Sequence, residues 1–153
     1  VDEIIPGLNQ KQIFSYLKSD SFLPNKEAVV EGVTNDMVLT LRDVHKDASV
    51  STATIRQYDS DYVNIDVLTR NTKLLVLSDL YYPGWRVYID GKEEKIYPSN
   101  YIMRGIFIPK GHHTVEFMYR PRSFFIGVII SLLTICFTVI IIKSKFIKFD
   151  HDI

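Results

Sequence analysis

A chain of 153 residues, 46% apolar and 24% charged, suits one domain of ordinary size or a smaller one carrying an appendage. Eighteen Lys and Arg balance eighteen Asp and Glu, so the cationic surplus that a nucleic-acid partner requires is missing and that partner class is excluded. The single cysteine, Cys136, excludes an internal disulfide and a cysteine-rich zinc module.

The chain opens VDEIIPGLNQ, with no initiator Met and neither the basic nor the apolar region of a signal peptide. Export of residues 1–122 is therefore expected to depend on something upstream, as in a piece of a longer protein. Asn9 to Ser19 predicts a short helix, with Asn9 as its cap and Ile13, Phe14 and Leu17 on one face. Asp20 to Asn25, with Pro24, ends it. Residues 1–24 thus read as a linker around a short helix.

From there the apolar period becomes two. Ala28–Glu31, Met37–Val44, Ser49–Tyr58 and Tyr62–Thr69 read as strands. In the last of these, Val63, Ile65 and Val67 alternate with Asn64, Asp66 and Leu68, giving one buried and one wet face. Leu74–Leu77 is continuously apolar, as in a strand covered on both sides. Trp85, Val87 and Ile89 alternate next, and Asp90-Gly91 predicts a type I′ hairpin turn returning through Lys92–Tyr97. Ile106–Ile108, the turn Pro109-Lys110-Gly111 and His113–Tyr119 predict a second hairpin. Eight or nine short strands without intervening helices indicate a mainly β fold, an antiparallel, jelly-roll-like β-sandwich over residues 25–121.

Phe124 to Ile142 is a run of nineteen residues without a charge. At about 1.5 Å per helical residue it spans roughly 28 Å, close to the hydrocarbon core of a bilayer. Arg120 and Arg122 flank one end; Lys143, Lys145 and Lys148 flank the other, where their stems can snorkel. A buried core helix is usually shorter and amphipathic, so residues 122–143 read as one C-terminal transmembrane helix with a tail of residues 144–153. Its non-apolar positions, Gly127, Ser131, Thr134 and Thr138, fall within a stripe roughly 60° wide at about 100° per residue, with Cys136 nearly opposite. Small and hydroxylated residues let helices approach, so this stripe predicts a packing seam for other transmembrane helices.

Chemistry-bearing motifs are few. His45, His112, His113 and His151 lack metal-ligand spacing, and no G-x-S-x-G, Walker A or G-x-G-x-x-G string occurs. Asp59-Ser60-Asp61 could supply two carboxylates to a cation, but a hard cation needs six or more oxygens, and the triplet suits a turn between strands better. No metal site, catalytic residue or cofactor is expected. Tyr81, Tyr82, Trp85, Asn100 and Arg104 form the one candidate constellation: aromatic faces stack on sugar rings, and amide and guanidinium groups bond hydroxyls or phosphates. Aromatic residues equally fill sandwich cores and sit at membrane interfaces. By alternation Trp85 points inward with Val87 and Ile89, so it could meet a glycan only at the sandwich rim.

Ser78-Asp79, Tyr82-Pro83-Gly84-Trp85, Asp90-Gly91-Lys92, Asn100, Arg104-Gly105, Pro109-x-Gly111-x-His113 and Tyr119-x-Pro121 together resemble the C-terminal end of the YfhO family of bacterial multi-spanning membrane proteins. The resemblance is close over residues 74–131 and looser before them. It implies a large envelope protein with a glycosyltransferase-C-like membrane core, using polyprenyl-phosphate sugars to modify polymers such as lipoteichoic acid. The family's catalytic carboxylates are expected in an early exterior loop that no position here matches, so none is carried over. Sidedness also follows the resemblance: sandwich outside, tail in the cytoplasm. Three Lys against two Arg barely discriminate it from a tail-anchored cytosolic protein. The implied partners are the bilayer, other helices of the parent protein, and a cell-surface glycan or polyprenyl-phosphate sugar. The competing class is a non-catalytic structural or assembly module of a transporter or scaffold.

Overall fold

The computed structural model describes residues 1, 3–6, 9–33 and 51–151, with side chains through residue 142. It divides into two units, Val1–Arg120 and Pro121–Ile153. The first is a two-sheet β-sandwich. Its elements in chain order are β1 (Glu3–Pro6), α1 (Gln10–Leu17), β2 (Glu27–Val30), β3 (Thr52–Tyr58), β4 (Tyr62–Thr69), β5 (Lys73–Leu80), β6 (Trp85–Ile89), β7 (Lys92–Glu94), β8 (Tyr97–Ser99), β9 (Met103–Ile108) and β10 (Gly111–Tyr119). One sheet has the order β1-β2-β8-β9-β5 and the other β3-β4-β10-β6-β7.

The capping box at α1 is complete. Asn9 Oδ1 accepts the Gln12 N–H at 3.0 Å while Gln12 Oε1 accepts the Asn9 N–H at 3.0 Å, satisfying two amides the first turn leaves open. Of the three apolar residues expected on one face, Ile13 is fully buried and Phe14 is exposed. Residues 1–24 hold more than a linker and a helix, because β1 joins the first sheet, pairing parallel to β2 with Glu3 opposite Glu27 and Pro6 opposite Val30. A four-residue strand with a proline at its end carries too little alternation to stand out in the sequence. The expected strand Met37–Val44 and His45 lie outside the described residues.

The main core lies between the sheets. Val63, Ile65 and Val67 of β4, Val87 and Ile89 of β6, and Val115 and Phe117 of β10 meet Leu77 of β5 and Ile106 and Ile108 of β9. The outer face of the first sheet is also covered: Ile4, Ala28, Val30, Val33 and Leu74 form a second cluster, with Val76, Tyr97 and Phe107 against it. Leu75 and Leu77 face one cluster while Leu74 and Val76 face the other. This double burial is why β5 is apolar without alternation.

Two of the expected connections are hairpins within a sheet. β3 and β4 are joined at Asp59-Ser60-Asp61, where the Asp59 N–H donates to the Tyr62 carbonyl at 2.8 Å. β6 and β7 are joined at Asp90-Gly91, with φ of 50° and 81° and Ile89 opposite Lys92, as a type I′ turn requires. The other connections differ from expectation. Lys92–Tyr97 is not one return strand: β7 stays with β6, and the chain then crosses at Lys95-Ile96 to begin β8 in the other sheet. β9 and β10 likewise belong to different sheets, so Pro109-Lys110-Gly111 is a corner between layers and not a hairpin. A short polar break between two apolar runs marks either geometry, and only the pairing partner distinguishes them.

The second unit is one helix, α2 (Arg122–His151). Its stretch Arg122–Ile142 is long and apolar enough to cross a bilayer, and every side chain from Ser123 to Ile142 is exposed in the isolated chain.

Candidate functional site

Alternation along β9 sends Arg104, Ile106 and Ile108 between the sheets, leaving Arg104 only 2% exposed. A buried cation needs a counter-charge and hydrogen bonds. The counter-charge comes from β5, where Leu75, Leu77 and Asp79 share the inward period. Leu77 pairs with Arg104 and Leu80 with Met103, so the register jumps across Ser78-Asp79. Asp79 Oδ2 then lies 2.6 Å from Arg104 Nη2, and Asp79 Oδ1 accepts the Tyr58 hydroxyl at 2.7 Å.

The remaining surface of the guanidinium is covered by rings from the opposite sheet. Its central carbon lies 3.9 Å from the centre of the Trp85 ring and 5.3 Å from that of Phe117. Nε and Nη1 are buried without a hydrogen-bond partner among the described residues. Burial pushes the guanidinium below its ordinary pKa, while Asp79 pulls it back up. The Tyr58 phenol is raised chiefly because its proton is held by Asp79.

The five sequence candidates therefore part company. Arg104 is consumed within the sandwich. Trp85 is half-buried against the core, with the Tyr119 ring 5.4 Å away. Asn100, at φ 47°, is a strap: its N–H donates to the Val29 carbonyl at 2.8 Å and its Oδ1 accepts the Val29 N–H at 2.9 Å. Tyr81 and Tyr82 keep exposed rings. Sequence reasoning named Asp79 and Tyr119 only as landmarks of the resemblance, and it gave neither them nor Tyr58 or Phe117 a place in the site. For Asp79 a signal existed, since a carboxylate two residues beyond Leu77 on an inward period demands a cation.

His112 and His113 are engaged at the surface of the second sheet. His112 Nε2 lies 2.7 Å from Asp66, which also pairs with Arg56, and His113 Nδ1 lies 2.6 Å from Asp90. Asp90 also accepts the Thr114 N–H at 2.9 Å, so it ties the β6–β7 turn to β10. These contacts lower both carboxylates, Asp66 chiefly through Arg56 and Asp90 chiefly through His113, and raise His113 chiefly through Asp90. Among the described residues no three His, Cys, Asp or Glu side chains group as metal ligands. In α2, the Thr134 hydroxyl donates to the Ile130 carbonyl at 2.9 Å and the Thr138 hydroxyl to the Thr134 carbonyl at 2.8 Å.

A sandwich whose last strand runs within two residues of a bilayer-length apolar helix is a membrane-anchored β domain. The chain belongs to the YfhO family: the family described as bacterial membrane protein YfhO matches residues 33–131. It is similar to the uncharacterized protein YfhO of Bacillus subtilis (strain 168), with 37% identity over 65 residues. That alignment covers 42% of this chain and 8% of the relative's length. No solved structure matches.

Proposed function

We propose that this chain is the exterior accessory domain and last membrane span of a larger bacterial envelope protein. In this reading the parent is a polyprenyl-phosphate-sugar-dependent glycosyltransferase acting on surface polymers such as lipoteichoic acid. Membership of a family of bacterial membrane proteins supports the envelope setting. The observation that carries the accessory role is the use of Arg104 and Asn100 as internal fastenings, which ties the guanidinium to Asp79 and the Asn100 amide oxygen to Val29. In this reading catalysis belongs to other parts of the parent, and Tyr81 and Tyr82 are the two of the five candidates whose rings are exposed to meet a polymer.

A second reading, a ligand-free assembly module of a transporter or scaffold, draws on the same internal fastenings. The two part on the cell-surface chemistry. Cells lacking the parent gene lose sugar substitution on lipoteichoic acid, measured by NMR of the purified polymer, and regain it on complementation. Unchanged substitution sinks the glycosyltransferase reading and leaves the assembly module. Protease shaving of intact cells tests sidedness: residues 1–121 are digested while the tail beyond Lys143 survives, and the reverse pattern places the sandwich in the cytoplasm.

A further inference from the structure

Two loops at one end of the sandwich lie side by side. The β5–β6 connection runs from the end of β5 through Tyr81, Tyr82, Pro83 and Gly84, and the β8–β9 turn is Asn100, Tyr101 and Ile102. The Tyr81 N–H donates to the Ile102 carbonyl at 2.6 Å, so the loops form one surface. That surface presents Leu80 (58% exposed), Tyr81 (40%), Tyr82 (56%), Tyr101 (43%) and Ile102 (48%). Loop tips are ordinarily polar, and a contiguous apolar patch of this kind marks a contact.

The patch is built and held. Tyr101 sits at φ 75°, directly after Asn100 at 47°, a conformation that a bulky side chain avoids and that here turns its ring outward. The Asn100 hydrogen bonds to Val29 fix the turn to β2. The other loop is fastened where the chain leaves the sandwich, since the Arg120 N–H donates to the Gly84 carbonyl at 2.7 Å. The apolar helix begins at Arg122, and two residues of chain reach at most about 7 Å. The patch thus lies at the end of the domain from which the membrane span starts.

Its chemistry selects among partners. A glycan-binding surface combines aromatic faces with free amide or charged groups. In Leu80–Gly84 and Tyr101–Ile102 the only polar side-chain atoms are phenol hydroxyls, and of their neighbours the Arg104 guanidinium is committed to Asp79 and the Asn100 amide oxygen to Val29. Tyr with aliphatic neighbours is the composition of the bilayer interface, where the ring meets acyl chains and the hydroxyl meets headgroups. We propose that these two loops are a membrane foot: Tyr81, Tyr82, Tyr101, Leu80 and Ile102 rest in the headgroup–acyl boundary of the bilayer that α2 crosses. The acidic β3–β4 turn is at the same end, its Asp61 carbonyl accepting the Tyr119 N–H at 2.8 Å, so the contact is confined to the side carrying the two tyrosine loops. The inference does not depend on the sugar chemistry of the parent.

The test uses the full chain in vesicles of equal parts phosphatidylglycerol and phosphatidylethanolamine. A single environment-sensitive fluorophore is placed at Tyr82→Cys, at Tyr101→Cys, or at Lys92→Cys in the distant β6–β7 hairpin, each with Cys136→Ala. Lipid-borne doxyl groups near the headgroup are expected to quench positions 82 and 101 several-fold more than position 92, with aqueous iodide giving the opposite order. Equal iodide quenching at all three positions overturns the foot. Iodide quenching at 82 and 101 that disappears on adding soluble teichoic acid overturns it in favour of a glycan surface. Hydroxyl-radical labelling of the unmodified chain guards against misfolded variants: from water to vesicles the labelling of Tyr81, Tyr82 and Tyr101 falls several-fold while that of the exposed His112, at the opposite end of β10, is unchanged, and an equal change at all four positions overturns the foot.

Discussion

The guanidinium carbon of Arg104 lies 3.9 Å from the centre of the Trp85 ring, a contact between residues of opposite sheets. Arg104 is hydrogen-bonded to Asp79 on its own sheet, and Asp79 receives the hydroxyl of Tyr58 from the other. Ser78-Asp79, Trp85 and Arg104-Gly105 are separated in the chain yet converge on this one interlayer clamp. Residue types that suit sugar recognition are here used to hold two sheets in register.

Removing Asp79 strands a nearly fully buried cation. Asp79→Ala should therefore cost about 3–5 kcal/mol of stability, the range for breaking a buried pair from one side. Replacing both partners, as in Asp79→Ala with Arg104→Met, should cost less than Asp79→Ala alone, because an apolar side chain can occupy the space against Trp85 and Phe117 without a desolvation penalty. Urea titration followed by the emission of the single tryptophan reads both. A double variant at least as unstable as Asp79→Ala contradicts this account.

The glycine beside Arg104 is needed for space and not for its backbone freedom. A Cβ on Gly105 would collide with Ser99 Oγ and come within 3.2 Å of Ser99 Cβ and 3.3 Å of Leu74 Cδ1. Ser99 is fully buried and cannot swing away. Gly105→Ala should cost about 1–3 kcal/mol, as overpacking does, and Ser99→Ala should recover most of that by deleting the colliding oxygen. A double-variant cycle in urea measures the coupling, and strict additivity would show that the collision is not the cause.

The contact between His113 and Asp90 predicts a pH window. His113 is raised above its ordinary 6.5, so its contribution is complete below that value and fades as pH climbs through the raised one. Asp90 is held below its ordinary 3.8, so its contribution is complete above that value and fades as pH falls through the lowered one. The stability difference between the native chain and His113→Ala should peak between pH 3.8 and 6.5 and shrink on both sides. Asp90 is half-exposed, which screens the pair and keeps the peak to about 1 kcal/mol or less. Thermal unfolding across pH checks it, and a difference that keeps growing above neutral pH would be the wrong sign.

Patterns that repeat along a strand or helix were legible in the sequence. Tyr62–Thr69, Trp85–Ile89, the Asp90-Gly91 turn and the apolar helix all declared themselves through period or turn chemistry. What stayed hidden depends on pairing between distant segments. Nothing local says that Gly111–Tyr119 pairs with Tyr62–Thr69 and Trp85–Ile89 and not with its neighbour Met103–Ile108. The candidate site was half legible for the same reason: Trp85 and Arg104 drew notice as types, but their meeting and the part of Asp79 required the register jump in β5.

The stripe on α2 makes a prediction that the isolated helix cannot account for. The Thr134 and Thr138 hydroxyls are already bonded to carbonyls four residues back, so they need no partner on another helix. Among the described residues nothing lies within 4 Å of where a Cβ on Gly127 would stand, beyond the helix's own backbone. If neighbouring spans of the parent pack on this face, the gain comes from close approach over small side chains, and bulk should remove it. Gly127→Leu and Ser131→Leu should each weaken the parent by about 1 kcal/mol, while Cys136→Leu on the far side should leave it unchanged. Heat-induced aggregation of the detergent-solubilised parent ranks the three variants. Equal behaviour of Gly127→Leu and Cys136→Leu would mean that the stripe faces lipid and that the small residues carry no packing role.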